Sequence, residues 1–340
     1  MTSLLPDGPI DTLGYRDSLT AVPALVEAAG TADPVDGLVR ATDVDHVLVH
    51  AVGAMSGVGT MVAALAAPVA HVPAIAAPPG PLPTWVSARS LVVVVDVDDD
   101  PAAVSCVDAA IAQGAHVVAL ARPGASVATV ARAAGGVVAP FECPLGVPRL
   151  GFGAAVVRVL GVLEQLGHFA ELGPAGAAAS SQLERRVAEL GTTKDGSAGL
   201  ARRVGRTLPI VYGTDALGRA VADRWKHQVN TGAKAASFAS SLSEVVDDEI
   251  AGWGQHGDMT RQVFSLVVLR HDHEPDGTDH QLARVVELVD EVVHERHEVA
   301  AGGDGSLAQA LDLVLVGDCF AYHLAHELEI DPGPVAVVRH

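Results

Sequence analysis

The chain has 340 residues, which suits two domains of ordinary size, and 49% of them are hydrophobic, enough for sizeable cores. Its 41 acidic and 22 basic residues give a formal net charge of −19, which argues against nucleic-acid and anionic-membrane partners, because those surfaces bind clusters of lysine and arginine. Three widely spaced cysteines, no signal-peptide pattern and no run of about 18 apolar residues predict a cytoplasmic protein without membrane spans.

The first half of the chain alternates short apolar segments with segments of helical periodicity. The predicted strands are 46–52, 69–73, 90–95, 116–121 and 136–140, and the predicted helices are 61–67, 102–113, 127–134 and 150–166. Apolar strands that are separated by helices predict a parallel sheet with helices packed on both faces.

The second half repeats this scheme after a segment, 173–181, whose Gly, Pro, Ala and Ser residues predict a linker. The predicted strands are 208–212 and 264–269, and the predicted helices are 216–228, 281–299 and 307–329. We therefore expect an α/β protein with two doubly wound parallel sheets in tandem. The expected domains are an N-terminal one over residues 1–172 and a C-terminal one over residues 173–340.

The most informative segment is 211–253. Its strand ends in the Gly213-Thr214 turn, an amphipathic basic helix follows, and Asn230 and Gly232 are expected to end that helix before a turn that carries Glu244. A carboxylate on a loop beside a strand-turn-helix edge lies where open α/β sheets place their chemistry. The alternative is a solvated acidic turn on an ordinary doubly wound domain.

This segment resembles the C-terminal half of the bifunctional phosphoglucose/phosphomannose isomerases of bacteria and archaea, which contain two sugar isomerase (SIS) domains. Their pattern is a strand with a YG turn, then RWKxQxNxNAK, then PExNHNEIxGW. The matching residues here are Tyr212-Gly213, Arg224-Trp225-Lys226, Gln228, Asn230, Ala233-Lys234, Glu244, Glu249-Ile250 and Gly252-Trp253. Further along, Gly317-Asp318 with Tyr322, Leu324 and Ala325 resembles the family's GDxxSYYLA, and Asp331-Pro332 with Pro334-Val335 resembles its DPxPV.

The resemblance implies an aldose–ketose isomerase that moves a proton between C1 and C2 of a sugar phosphate through an enediolate. Glu244 would be the base, and Arg149, in a stretch similar to the family's PPRxxLG, would steady the enediolate charge. His280, which follows Asp279 as in the family's DHPR, would open the sugar ring. Each residue also has a plainer interpretation. Glu244 is then one more exposed acid, Arg149 an arginine at a helix N-terminus and His280 a histidine on a surface loop.

The first domain departs from the family at its phosphate-binding loops. Gly53 and Ser56 lie in the segment that resembles the family's GMGGSAIGG, and with Gly213 and Thr214 they are the expected substrate-binding residues. The family's SYSGNTEET loop, which follows the strand at 91–95, is replaced by a loop that carries Asp96, Asp98, Asp99 and Asp100.

The magnitudes predict weak binding of a hexose 6-phosphate. Each lost hydrogen bond to a charged group forfeits about 1.5–3 kcal/mol, and each carboxylate about 4 Å from a phosphate charge adds about 1–4 kcal/mol of repulsion. The sequence therefore leaves two functions open. One is a divergent sugar-phosphate isomerase, and the other is a non-catalytic double-SIS sugar sensor or partner subunit that has lost phosphate binding.

The expected ligand is a sugar or sugar phosphate, and the resemblance implies a homodimer. Neither a cofactor nor a metal is expected. The glycines at 53, 57 and 59 are in the wrong order for a dinucleotide-binding fingerprint, so a dinucleotide cofactor is not expected. A divalent cation at the aspartate loop or at His271, His273 and Glu274 is an alternative, although solvated polar loops are the commoner interpretation of both.

Overall fold

The structure, a computed structural model, describes residues 10–38, 40–78 and 80–335. Contacts divide the chain into two compact units. The N-terminal unit is Ala21–Ser180, and the C-terminal unit is Met1–Thr20 together with Ser181–His340. The predicted domain boundary at residues 172 and 173 stays a prediction.

Within the described residues, the first half contains five strands and five α-helices. In chain order they are α1 (Tyr15–Gly30), β1 (His46–Ala51), α2 (Val58–Ala66), β2 (Ala74–Ala76), β3 (Ser90–Val95), α3 (Pro101–Ala112), β4 (His116–Ala121), α4 (Ser126–Ala133), β5 (Val137–Pro140) and α5 (Phe152–Gln165). Strands β2 and β3 follow each other without a helix between them. The strands form a parallel sheet in the order β2-β1-β3-β4-β5. Every residue of β3 is buried, as its central place in a two-sided sheet requires.

The second half builds a smaller parallel sheet. Its elements are α6 (Leu172–Glu189), α7 (Gly196–Val204), β6 (Leu208–Gly213), α8 (Ala216–Gln228), β7 (Phe238–Ser241), α9 (Leu242–Asp247), α10 (Gly257–Val263), β8 (Phe264–Arg270), α11 (Thr278–Val289), β9 (Arg296–Ala300) and α12 (Ser306–Glu327). The strand order is β7-β6-β8-β9. Two tandem α/β units with doubly wound parallel sheets confirm the predicted fold class.

Several local predictions are wrong. A strand was expected at 69–73. The strand in this region, β2, begins only after Pro73 and covers Ala74–Ala76. The expected linker at 173–181 lies inside α6, because its alanines favour a helix and its proline stands in the first turn, where no hydrogen bond is lost. The expected helix over 281–299 ends at Val289 and is followed by β9, whose short polar sequence gives no apolar run to detect.

The segment 211–253 also differs in detail. Asn230 and Gly232 do not end the helix at once, because α8 continues as a π-helical turn over Val229–Ala233. Glu244 lies not on a turn but in the short helix α9, which follows directly from strand β7.

Helix α12 is long and apolar enough to cross a membrane by length and composition alone, with a mean hydropathy of 1.3 in its most apolar window. However, 94% of that window is buried inside the protein. A helix that is apolar on all sides and surrounded by other elements is the central helix of a core.

Candidate functional site

The glycine-rich turn of the N-terminal unit lies at the carboxyl edge of the sheet, beside the aspartate loop. Ala51 of β1 is in register with Val95 of β3, so the segments that follow both strands emerge side by side. The Asp98 carboxylate accepts a hydrogen bond from the main-chain N–H of Ala54 at 3.1 Å. Gly53 has a φ of +55°, and a Cβ atom at this position would lie 3.0 Å from Asp98 Oδ2. The glycine turn therefore packs directly on the Asp98 carboxylate, and the contact leaves no room for a side chain at position 53.

The other three aspartates bind main-chain N–H groups as well. Asp96 is 2% exposed, and its Oδ1 accepts from the N–H groups of Asp98 and Asp100 at 3.0 and 3.3 Å. Burial raises the pKa of Asp96 above its ordinary value, against the lowering effect of these two hydrogen bonds. Asp100 caps α3 by accepting from Ala102 at 2.8 Å. Asp99, at a φ of +61°, accepts from Ser126 at 2.7 Å at the start of α4.

These contacts take up three of the main-chain N–H groups that an anion could use at this edge. Free N–H groups at helix N-termini and glycine turns are the usual protein ligands of phosphate. Here the first turns of α3 and α4 and the turn after β1 each donate to an aspartate. Ser56, the other residue expected to bind substrate, is exposed, and its N–H donates to the Gly53 carbonyl.

Arg149 lies in the 3-10 turn Pro148–Gly151, which leads into α5. Its residue is 5% exposed, so its guanidinium is not the solvated surface group that a helix-terminal arginine would be. It belongs to the N-terminal unit, whereas Glu244 and His280 belong to the C-terminal unit.

In the C-terminal unit, Gly213 is in register with Ser241 of β7 and Leu269 of β8. A Cβ atom on Gly213 would lie 2.0 Å from the Gly218 carbonyl carbon, so this approach of β6 to α8 requires glycine. The next residue, Thr214, is 7% exposed, and its hydroxyl donates to Glu274 at 3.0 Å. Both residues expected to bind substrate therefore line the switch point between β6 and β8, where open α/β sheets bind ligands.

A buried histidine lies at the same edge and is fully hydrogen-bonded. His271 Nδ1 accepts from the His273 main-chain N–H at 3.2 Å, so Nε2 carries the proton and donates to Asp215 at 3.0 Å. Burial raises the pKa of Asp215, but the hydrogen bonds from His271 and from the Gly218 main chain outweigh it and lower that pKa. His271 therefore orients the N-cap of α8 and leaves no ring nitrogen for a substrate or a metal.

Glu244 is the third residue of α9 and completes a capping box with Ser241. Its carboxylate accepts from the Ser241 main-chain N–H at 2.9 Å and forms an ion pair with Arg219 of α8. The main-chain N–H of Ser241 lowers the pKa of Glu244, and the Ser241 hydroxyl and Arg219 lower it further. Half of the side chain, 52%, is exposed, so the carboxylate is accessible and ionised at neutral pH.

His280 occupies the first turn of α11, and its side chain is exposed. Helices α9 and α11 are in contact, so Glu244 and His280 lie on neighbouring helices of the same unit. In the described part of the chain, no three His, Cys, Asp or Glu side chains converge in a way that could hold a metal ion.

The family-like residues of α8 and α12 build the core. Arg224 and Gln228 both hydrogen-bond to the carboxylate of Asp318, and this ion pair is 1% and 2% exposed. Trp225 is fully buried, donates to the Leu313 carbonyl at 2.8 Å, and packs on Gly317. A Cβ atom on Gly317 would lie 2.5–2.7 Å from the indole, so the size of Trp225 requires a glycine at position 317. Sequence reasoning found these residues but not this role.

Comparison with known proteins agrees with this description. Residues 193–340 match the family described as the bacterial phospho-glucose isomerase C-terminal SIS domain. A bifunctional phosphoglucose/phosphomannose isomerase of Caldicellulosiruptor bescii is 24% identical over 310 residues, which is 87% of this chain and 88% of that protein.

Two solved structures show the same fold. The C-terminal domain of glucosamine-fructose-6-phosphate aminotransferase from Francisella tularensis superposes with a TM-score of 0.70 at 13% identity, covering 94% of this chain and 98% of that one. A glucose-6-phosphate isomerase like protein from Thermus thermophilus gives 0.55 at 20% identity, covering 96% and 99%. The chain thus resembles the bifunctional phosphoglucose/phosphomannose isomerases over most of its length, and its residues 193–340 match the bacterial phospho-glucose isomerase C-terminal SIS domain.

Proposed function

We propose that the chain is a sugar-phosphate aldose–ketose isomerase of the phosphoglucose/phosphomannose isomerase type, divergent in the loop that would hold the phosphate. The observation that carries this proposal is the placement of Glu244. It lies at the carboxyl edge of the C-terminal sheet, ionised and accessible, on the segment that matches the family. Such a carboxylate would serve as the base that isomerisation requires.

The proposed reaction needs a base, a partner for the enediolate charge and an acid that opens the ring. Isomerisation of glucose 6-phosphate or mannose 6-phosphate to fructose 6-phosphate transfers one proton from C2 to C1. Glu244 would remove and return that proton, Arg149 would balance the negative charge of the enediolate, and His280 would donate to the ring oxygen during opening. No cofactor is required, because a proton transfer within one molecule has no net redox change.

The contacts of Glu244 limit its strength as a base. The lowered pKa keeps the carboxylate ionised, but it also reduces its affinity for the substrate proton. Most of this lowering comes from the main-chain N–H of Ser241, so loosening the ion pair with Arg219 when substrate binds would raise the pKa of Glu244 only in part.

The test is a coupled assay for fructose 6-phosphate with glucose 6-phosphate or mannose 6-phosphate as substrate. Glu244→Gln should abolish the turnover, and Glu287→Gln, an exposed glutamate of α11, should leave it unchanged. Turnover that survives Glu244→Gln would remove this residue from the mechanism.

The aspartate loop favours a second candidate, a non-catalytic double-SIS sugar sensor or partner subunit. Four carboxylates accept main-chain hydrogen bonds at the edge where the resembled family holds a phosphate. In that case no sugar phosphate is turned over, and an unphosphorylated sugar raises the melting temperature. If neither class of sugar changes the melting temperature, both candidates fail and a protein partner becomes the better hypothesis.

We further propose a cytoplasmic homodimer that binds neither nucleic acid nor membranes. The support is the net charge of −19, the buried position of α12 and the resemblance to SIS proteins. Light scattering should give twice the 34.7 kDa of the chain. A monomer at micromolar concentration would contradict the dimer.

A further inference from the structure

Three residues of the family-like segment 211–253 belong to one hydrogen-bonded cluster that the proposed reaction leaves without a role. They are Tyr212, Glu249 and Trp253, and Ser240 of β7 is the fourth member. One oxygen of the Glu249 carboxylate accepts from the Tyr212 hydroxyl at 3.0 Å, and the other accepts from the Ser240 hydroxyl. The Trp253 indole N–H donates to the Tyr212 hydroxyl at 3.2 Å. The carboxylate therefore has a hydroxyl donor on each of its two oxygens.

The cluster ties the chain that follows α9 back to two strands of the sheet. Tyr212 of β6 and Ser240 of β7 are in register, so their side chains lie side by side on one face. Glu249 begins the 3-10 turn Glu249–Ala251, which is separated from α9 by one residue. A single carboxylate thus bridges both strands and fixes the start of this turn against them.

Burial makes this bridge a strong contact. Tyr212 is fully buried, and Ser240 is 7% exposed. Burial, and then the charge of the Glu249 carboxylate, raises the pKa of Tyr212, so the Tyr212 hydroxyl stays protonated and remains a donor. Hydrogen bonds to a charged acceptor are about twice as strong as those between neutral groups, and the exclusion of water strengthens them further.

Helix α9, which carries Glu244, is too short to hold itself in place. It has six residues, Leu242–Asp247, and an isolated helix of fewer than about 12 residues is marginal in water. Its position therefore depends on its buried face and on the attachments at its two ends. The capping box of Ser241 and Glu244 is the attachment at its beginning. The Glu249 bridge is the attachment just beyond its end.

Proton transfer would break part of the first attachment. The Glu244 carboxylate accepts from the Ser241 main-chain N–H at 2.9 Å. A base that takes a proton from a substrate carbon has to turn away from that N–H, so the capping box would lose the half that the Glu244 carboxylate makes. The Glu249 bridge contains no atom of Glu244 and would persist during this step.

We propose that Glu249 is a positioning residue for the base. By bridging β6 and β7, it keeps α9 and Glu244 in place while the Glu244 carboxylate leaves its capping position. The inference rests on the proposed isomerase function and deepens it. Glu249 transfers no proton itself, because both of its oxygens are held by hydroxyl donors. Tyr212 and Trp253 acquire a role through the same cluster.

The first test measures the pKa of Glu244 by NMR titration of its carboxyl group, assigned by the signal that Glu244→Gln removes. Glu249→Ala deletes both the bridge and a negative charge. Loss of a like charge alone would lower the pKa of Glu244, whereas a loosened α9 weakens its contacts with Ser241 and Arg219 and raises it. We expect a rise toward the ordinary value in Glu249→Ala.

Glu249→Gln is the conservative variant of this pair. Its amide can accept from the Tyr212 hydroxyl and donate to the Ser240 oxygen, so the bridge persists without the charge. We expect no rise in the pKa of Glu244 in this variant. Ser240→Ala removes one hydroxyl of the bridge, is a small change in volume, and should raise that pKa by less than Glu249→Ala does. It replaces Glu249→Ala if that variant does not fold.

The second test compares kcat and KM with glucose 6-phosphate and mannose 6-phosphate. Glu249→Ala should lower kcat about ten- to hundredfold, because a base that is displaced by about 1 Å loses its alignment, and should change KM by less than about threefold. Glu249→Gln should keep most of the kcat. Asp247→Asn, which removes the charge of an exposed aspartate on the same helix, should leave kcat unchanged.

An unchanged pKa of Glu244 and an unchanged kcat in both Glu249→Ala and Ser240→Ala would overturn the proposal. It would also be overturned if KM alone rises, or if Glu249→Gln loses as much kcat as Glu249→Ala, because the charge and not the bridge would then matter. If the unchanged protein turns over neither sugar phosphate, the proposed function fails, and the NMR titration alone decides whether Glu249 holds Glu244 in place.

Discussion

Asp98 reaches across the carboxyl edge of the N-terminal sheet, and its carboxylate accepts a hydrogen bond from the main-chain N–H of Ala54 at 3.1 Å. The contact joins the loop after β3 to the glycine turn after β1, two segments that phosphate-binding α/β folds commonly use together. The protein's own negative charge thus occupies a place suited to a bound anion.

Asp98→Asn should raise the affinity for inorganic phosphate and for glucose 6-phosphate. The variant keeps the side-chain size but removes a unit charge whose repulsion is about 1–4 kcal/mol at about 4 Å, so the gain should be about fivefold or more. Calorimetric titration at low salt measures it. Asp108→Asn removes an exposed aspartate of α3 and is the matched control. Equal affinities for the three proteins would show that this edge does not face the ligand.

Glu244→Gln should separate catalysis from folding. Glutamine at the third helical position still accepts from Ser241, so the capping box persists, and the exposed pair with Arg219 is worth at most about 1 kcal/mol. If Glu244 is the base, turnover should fall by about 10²–10⁴ while urea unfolding changes little. A variant that unfolds much more readily but keeps its turnover per folded molecule would assign Glu244 a structural role alone.

Gly317→Ala should destabilise the C-terminal unit. The added methyl group would overlap the Trp225 indole, which is fully buried and cannot move aside without opening the core. Overpacking of this kind costs about 1–3 kcal/mol. Gly173→Ala is the matched control, because a Cβ there meets nothing within 4 Å and alanine favours α6. Equal melting temperatures for the two variants would contradict the packing argument.

Asp195→Asn should remove an acid-sensitive part of the stability. Burial raises the pKa of Asp195, but hydrogen bonds from His323, from the Gly191 main chain and from Ser197 lower it well below its usual range. A carboxyl group whose pKa is depressed by folding stabilises the protein above the unfolded pKa of about 3.9, and this stabilisation is lost as the pH falls through the folded value.

The free energy of unfolding of the Asp195→Asn variant should therefore be about 1.5–3 kcal/mol lower at pH 7, and the difference from the unchanged protein should shrink below about pH 4. Urea titrations at pH 7, 5 and 3 measure both quantities. Asp276→Asn, on an exposed loop aspartate, is the control and should leave the curves unchanged. A difference that stays constant with pH would show that Asp195 titrates as in the unfolded chain.

Apolar runs made most of the fold predictable. Strands β1, β3, β4, β6 and β8 are buried on both faces, so composition alone locates them within a residue or two. Strands β7 and β9 escaped detection because they are short edge strands, and α6 was taken for a linker because glycine and proline begin it.

The sequence by itself determined the fold class and the resemblance to the phosphoglucose/phosphomannose isomerases. Buried apolar strands and the packing of Trp225 on Gly317 both require particular residue types at a particular spacing. The sequence also located Glu244 and the four aspartates. Only the tertiary structure decided what those carboxylates do, since their partners come from distant segments. Asp98 and Asp99 accept hydrogen bonds from the main-chain N–H groups of Ala54 and Ser126. Glu244 forms an ion pair with Arg219. A carboxylate's chemistry depends on the donors around it, and folding, not local sequence, brings those donors together.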